Sequence, residues 1–535
     1  MGLTYSSLTA FSIAVVAVAA LALLKSLFRR RLLKDIQGPP SNSFWLGTYP
    51  VHLFLGHEKD LRYQNEVGDL DFQWMSQYGT AWRVDGCMGE DILMLVDPKA
   101  LQHILQAAGY KYPKSAEDRQ FLRMVTGEGL AWAHGEDHSR QRKIMNPAFS
   151  STQLKTFLPL FHFRASQLVQ KWENLIAGDV SNAPVLNVAS WLSRMTLDVI
   201  GEGMLHPVDH FGALDDTKSE FMNNWDSLFI DSTLYPAPLD LLAKSFFNSI
   251  PTSVLYYTRY LPSREYRRFR EYLDFARVIS RDIIRKSEAR GDGKDVMSVL
   301  VRANASENPK TKLSEPEVID QISTLMLAGH DTTAATASWV LWELAKDPEF
   351  QRKAREEIRA ARAQVTARGD ADFSMADLEG LTLMQAAMKV RMRLHPILWH
   401  ISRYAEKDDV IPLAQPIVTK SGKQISSIPV SKGTKVKLSL CAYNRLPSIW
   451  GEDADRWNPN RWIGMDSSKQ TSVGVYSNLV IELQAILASV LEKFEFAMPP
   501  DADKHPVCRK PTLVMTPIVE GHRGTWLGLT VKNVA

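Results

Sequence analysis

Six consecutive residues, Ala328-Gly329-His330-Asp331-Thr332-Thr333, place an acid and two hydroxyls within four residues after a glycine. Inside a helix a glycine costs about 1 kcal/mol relative to alanine, so it calls for a reason of packing or of function. One reason is chemical: a helix opened here holds water and relays protons from Asp331 and Thr332 to something bound against it. The other is structural: Gly329 admits a neighbouring helix, and the threonine hydroxyls bond back to their own helix. Both readings stand at this level.

Further charged residues recur at suggestive spacings. His138 and Arg142 lie one helical turn apart in GEDHSRQRKIMNPAF, where both can face one anionic group. Arg393 belongs to Arg393-Leu394-His395-Pro396 at a helix end, and Arg461 to Trp457-Asn458-Pro459-Asn460-Arg461-Trp462 after a strand-rich stretch. The run Arg140-Gln141-Arg142-Lys143 is a candidate patch for an acidic partner, with solvated surface charge as the plainer reading. The chain carries no G-x-G-x-x-G after a strand, no P-loop, no zinc-ligand spacing and no G-x-S-x-G elbow. An oxidoreductase built on this chain would therefore have to take its electrons from a partner.

The elements that must hold these residues are mostly helical. The longest helix is expected from the capping-box spacing Ser314-Glu315-Pro316-Glu317 to about Lys346, with Asp347-Pro348 starting another through Ala361. Thr80 to Val84 and Ile92 to Val96 read as a hairpin, and Asp97-Pro98 as an N-cap and first helical turn. Val418 to Leu440 and Thr512 to Val531 read as short strands. The polar stretches near 290–314, 364–375 and 499–511 read as surface loops. The fold class expected is mainly α with small β-sheets.

Composition narrows the class. The chain has 535 residues, 45% hydrophobic and 23% charged, with 63 basic against 60 acidic side chains. That is enough to bury a large core, and it excludes disorder, collagen and coiled coil. The near-balanced charge argues against nucleic-acid binding. The only three cysteines, Cys87, Cys441 and Cys508, exclude a disulfide-stapled scaffold and favour a reducing compartment.

Leu8 to Leu24 are almost wholly apolar, and Arg29-Arg30-Arg31 with Lys34 follow. A run of ~20 apolar residues suits a bilayer-spanning helix, and the basic flank places the following domain in the cytosol. Residues 1–34 are read as an uncleaved single-pass anchor, 35–50 with Gly38-Pro39-Pro40 as a stiff hinge, and 51–535 as one large domain. The sequon Asn304-Ala305-Ser306 then never meets the lumen.

In order and spacing these motifs resemble the cytochrome P450 family, in its membrane-bound, fungal-type members, over nearly the whole chain. The resemblance implies a P450-like fold behind the N-terminal transmembrane helix, a haem cofactor, and a location in the endoplasmic reticulum membrane. It implies a monooxygenase that inserts one oxygen atom from O2 into a lipophilic organic substrate: a secondary metabolite, terpenoid, fatty acid or aromatic. An NADPH-cytochrome P450 reductase would supply the electrons. By that resemblance Ala328 and Gly329 lie over the haem, and Asp331 and Thr332 deliver protons during oxygen activation. His138 and Arg142 contact a haem propionate, Arg393 ends the E-x-x-R helix, and Arg461 is its partner arginine. The 200–260 region, with FFNSIPTSVLYYT, lines substrate access and touches the membrane surface.

Two departures fall where the chemistry belongs. The family's loop F-x-x-G-x-R-x-C-x-G, which carries the axial cysteine, is absent between Val480 and Ile481. Gly474 to Val480 resemble its lead-in, while Ile481-Glu482-Leu483-Gln484 resemble the helix beyond it. A thiolate pushes electron density onto the iron and favours O–O cleavage, so its loss is chemically severe. Cys441 in KLSLCAYNR reads as a small buried strand residue, and Cys508 as part of a loop. His330, His395 and His400 are potential iron ligands by type, but no spacing directs them to it. The second departure is Val390 in place of the motif glutamate, which is expected to strand Arg393 and Arg461 at a cost of about 3–5 kcal/mol. The pattern is that of an excised segment, as a splice variant or a misdrawn exon boundary leaves. A catalytically inactive P450-like protein is the alternative reading.

Overall fold

The computed structural model describes residues 33–40, 55–204, 212–215, 234, 236–247, 250–290, 296, 300, 312–464, 480–522 and 524–534. The apolar run Leu8 to Leu24, hinge residues 41–50 and the sequon Asn304-Ala305-Ser306 lie outside them. Among the described residues no helix is long and apolar enough to cross a membrane.

In chain order the elements that matter are α1 (Asp69–Tyr78), β1 (Ala81–Asp85), β2 (Asp91–Leu95), α2 (Gly135–Met145), α3 (Ser151–Ala177), β3 (Val185–Asn187) and α4 (Val188–Met204). They are followed by α5 (Glu315–Lys346), α6 (Pro348–Ala367), α7 (Thr382–Leu394), β4 (His400–Tyr404), β5 (Asp409–Val418), β6 (Gln424–Val430) and β7 (Lys435–Ser439). The last are α8 (Val480–Lys493), β8 (Phe494–Ala497), β9 (Val507–Arg509), β10 (Pro517–Val519) and β11 (Gly528–Asn533). Helix predominates and the sheets are small, as expected. The described residues form two compact units. One lies within Met1–Met124, Thr233–Arg270 and His400–Tyr443; the other lies within Val125–Ser232, Glu271–Trp399 and Asn444–Ala535.

The first unit is built on the sheet β1-β2-β7-β4. The β1–β2 hairpin is the expected one, and β7 runs parallel to β2 and antiparallel to β4. Asp97 caps the helical turn Pro98–Gln102 by accepting from the amides of Lys99 (3.0 Å) and Ala100 (3.1 Å). The same carboxylate accepts from Ala414 N at 2.9 Å, which pins β5. Strand β7 is buried along its whole length. Lys435 and Lys437, two residues apart and so on one face, both reach buried Glu58, at 2.7 and 2.9 Å.

The second unit is a helical assembly around one large apolar core. Helix α5 begins as its sequence predicts: Ser314 Oγ accepts from Glu317 N, and Glu317 Oε2 accepts from Ser314 N at 2.8 Å. Helix α6 runs to Ala367 rather than stopping at Ala361, because Val365 still finds a buried position in the last turn. Helix α8 buries Leu483, Ile486, Leu487, Val490 and Leu491. It delivers Phe494 and Phe496 against Trp172, at ring separations of 5.6 and 6.0 Å. Arg355 locks that exit by donating to the carbonyls of Leu491 (2.9 Å) and Phe494 (2.8 Å). Cys508, expected in a loop, is buried in β9, which pairs with β10.

Candidate functional site

The candidate site residues His138, Arg142, Ala328, Gly329, Asp331, Thr332, Arg393 and Arg461 all fall in the second unit. The helix α5 is α-helical throughout, so the expectation of a local opening at Gly329 is not met. A Cβ at Gly329 would lie 2.2 Å from Ile200 Cδ1 of α4, so the glycine is there to let the two helices approach. Thr332 Oγ1 donates to Ala328 O at 2.7 Å, the back-bonded arrangement. Ala328 is exposed, while Asp331 and Thr332 are half-buried. His330 is fully buried between neighbours: its Nε2 is 2.7 Å from Ser193 Oγ, and its Nδ1 is 3.2 Å from Asp331 Oδ1. Burial lowers its pKa and prevails over the attraction of Asp331, so the ring is held neutral.

On α2, His138 is half-buried and Arg142 is exposed. The basic run there is not one patch. Arg140 turns inward to Glu317 at the start of α5 and donates to Lys312 O at 2.9 Å. Gln141 is buried and bridges Glu128 O and Glu317. Only Arg142 and Lys143 of that run face solvent. Burial raises the Glu317 carboxyl, but hydrogen bonds from Arg140, Ser314 and Gln141 outweigh it and bring it down to about 2.

The arginine network differs from the expectation of stranded charges. Val390 is buried among Ala386, Leu394, Trp450, Ala454 and Trp462, an apolar packing site. Arg393, on the same helix α7, finds backbone instead of glutamate: it donates to Asn444 O at 2.7 Å, to Ala454 O, and to Arg456 O at 3.3 Å. Arg461 pairs with Asp453 and donates to Trp450 O. Carbonyl dipoles thus take the place of the missing carboxylate, although Arg393 Nε remains without a partner. Burial, followed by repulsion from Arg461, lowers the Arg393 pKa to about 10.

A second buried pair was not anticipated. Arg391 Nη1 donates to Glu343 Oε1 of α5 at 2.6 Å, and its guanidinium lies 4.5 Å from the Trp339 ring. Its Nε and Nη2 have no hydrogen-bond partner. Nothing local signals this pair, because its members are 48 residues apart. Glu482 was also missed as a functional feature. It is a fully buried acid in apolar α8, with Thr333 Oγ1 3.2 Å from its Oε2. A lone acid in VIELQAIL was the available signal.

Residues 47–474 match the sequence profile of the family described as Cytochrome P450. The chain belongs to the cytochrome P450 family. It is similar to cytochrome P450 monooxygenase claU of Ampulloclitocybe clavipes, 29% identical over 96% of each chain. It is similar also to claP of the same fungus, 28% identical over 96% of this chain and 95% of the relative. Cytochrome P450 monooxygenase 205 of Postia placenta is 30% identical over 94% of this chain and 93% of its own. By family, then, this is a cytochrome P450 monooxygenase, and the family's cofactor is haem.

The residues of this P450 do not fit a haem-thiolate centre. All three cysteines are described, each is buried, and none lies in the stretch directly before α8. Cys87 Sγ lies 3.7 Å from Leu55 O and 3.9 Å from Leu241 O, and burial pushes its thiol up to about 12. Cys441, in the helical turn Leu440–Tyr443 rather than in a strand, lies 3.4 Å from Ser439 Oγ. Cys508 Sγ lies 3.6 Å from Pro506 O. The histidines are no better placed. His330 is engaged as above, His395 packs 4.4 Å from the Trp339 ring, and His400 binds Asp71. The family match ends at Gly474, and α8 starts at Val480 with no cysteine in between. Of the 200–260 stretch, residues 205–211, 216–233, 235, 248 and 249 lie outside the described ones.

Proposed function

We propose that this P450 stems from haem-thiolate monooxygenases that insert one oxygen atom of O2 into lipophilic organic substrates, and that the chain as written keeps their scaffold without their iron ligand. Electrons in the parent enzyme would come from an NADPH-dependent reductase. The observation that carries the reading is that all three cysteines are buried and none lies in the stretch directly before α8, beside an intact helical core. The relatives named as monooxygenases support the first half of it.

A lipophilic substrate suits a membrane-associated enzyme. The apolar run Leu8 to Leu24 with its basic flank supports single-pass attachment to the endoplasmic reticulum, with the catalytic domain on the cytosolic side. Val254, Tyr257 and Tyr260 expose 54%, 66% and 59% of their surface, which suits contact with an interface.

Two measurements test the proposal. Sequencing the reverse-transcribed message across the codons for Leu381 to Phe496 is expected to find a longer form, with a Gly- and Cys-containing loop after Val480. The chain as written, expressed whole, is expected to give no thiolate-type band when reduced and exposed to carbon monoxide. A thiolate band from this chain would overturn the reading.

A further inference from the structure

We propose that Asp71, His400 and Cys441 form a zinc site in the first unit, separate from the family's haem chemistry and independent of whether haem binds. Three elements bring these residues together: the first turn of α1, the first residue of β4, and the helical turn Leu440–Tyr443 that follows β7. His400 lies opposite Ser439 in the β4–β7 register, which sets the imidazole beside the turn that carries the thiol. One carboxylate oxygen, one ring nitrogen and the sulfur all lie within 4.8 Å of one another. Asp71 and Cys441 are 0% and 1% exposed.

The donor set selects the metal. Thiolate and imidazole suit zinc and reject calcium and magnesium, which take oxygen ligands. Tetrahedral zinc holds sulfur at about 2.3 Å and nitrogen or oxygen at about 2.0–2.2 Å, which puts its ligands roughly 3–4 Å apart. His400 Nε2 and Asp71 Oδ1 are now hydrogen-bonded at 2.6 Å, so they need separate by less than about 1 Å. Ser439 Oγ, 3.4 Å from Cys441 Sγ, or a water would fill the fourth position.

A further observation points to a ligand. Asp71 Oδ2 is buried and has no hydrogen-bond partner. A buried carboxylate oxygen left open is costly, and a metal bond satisfies it. The charges close: one Zn2+ is balanced by the Asp71 carboxylate and the Cys441 thiolate, whose proton leaves to solvent as the S–Zn bond forms. The nearby Lys437 ammonium is drawn off by Glu58 at 2.9 Å.

The test uses the full chain, stripped with a chelator and titrated with Co2+. The expected result is about one cobalt per chain, with tetrahedral visible bands and a near-ultraviolet thiolate-to-cobalt absorption that added Zn2+ abolishes. Cys441→Ser is expected to remove the thiolate band, and the double variant Cys87→Ser/Cys508→Ser to retain it. Absence of cobalt binding by the folded chain would overturn the proposal, as would a thiolate band surviving in folded Cys441→Ser. Should Cys441→Ser not fold, the double variant decides alone, since loss of the band there assigns the sulfur elsewhere.

Discussion

Thr333 and Glu482, 149 residues apart, are joined by a 3.2 Å hydrogen bond between the threonine hydroxyl and Oε2 of the acid. The bond ties the family's signature helix α5 to α8, the helix that follows the missing loop. Glu482 is 2% exposed, and its second oxygen has no partner. Burial pushes its pKa up to about 8, with only the Thr333 hydroxyl pulling down. At neutral pH it is therefore a protonated acid in an apolar helix.

That linkage predicts a pH profile. The folded-state pKa lies above the unfolded value of about 4.3. The neutral acid's contribution is thus complete below that unfolded value and is lost as pH rises towards 8. Stability should fall by up to about 1.4 kcal/mol per pH unit over that window. Glu482→Gln should flatten the slope and be the more stable protein at pH 8, as read from urea midpoints across pH.

Glu317 predicts the opposite window. Its folded pKa of about 2 lies below the ordinary value of 4.5. Its contribution is therefore present above about pH 4.5 and is lost as pH falls towards 2. Glu317→Gln should cost about 1.5–3 kcal/mol at pH 7 by weakening the bonds from Arg140 and Ser314. It should also remove this share of the acid sensitivity, measured by acid unfolding followed by circular dichroism.

The buried Arg391–Glu343 pair predicts a double-mutant result. Glu343→Gln leaves an uncompensated guanidinium and should cost about 3–5 kcal/mol. Adding Arg391→Leu should recover most of that loss, because a buried pair replaced by apolar side chains is close to neutral. Chemical denaturation of the two single variants and the double variant checks it. A double variant as unstable as Glu343→Gln alone would contradict the account.

Gly329 offers a steric test. Gly329→Ala gains about 1 kcal/mol of helix propensity but meets Ile200, an overpacking that costs about 1–3 kcal/mol. A net loss of about 1 kcal/mol is expected. In an Ile200→Ala background the same substitution should become stabilising, and thermal unfolding of the four proteins reads the reversal.

Local rules made much of this chain legible before any tertiary contact was known. The Ser314–Glu317 capping box and the Asp97-Pro98 start are decided within one turn of backbone. The β1–β2 hairpin is decided by two adjacent runs and the turn between them. The want of a cysteine between Cys441 and Cys508 is a property of the sequence alone, and no fold can supply the atom. What tertiary structure decided depends on residues distant along the chain. Ile200 settled the meaning of Gly329, which composition left open. Carbonyls of Asn444 and Ala454 replaced the glutamate that Arg393 lacks, and a backbone acceptor leaves no mark in a sequence. Asp71, His400 and Cys441 share no spacing at all. Only the pairing of β4 with β7, and the docking of α1 beside them, brings a carboxylate, an imidazole and a thiol within reach of one ion.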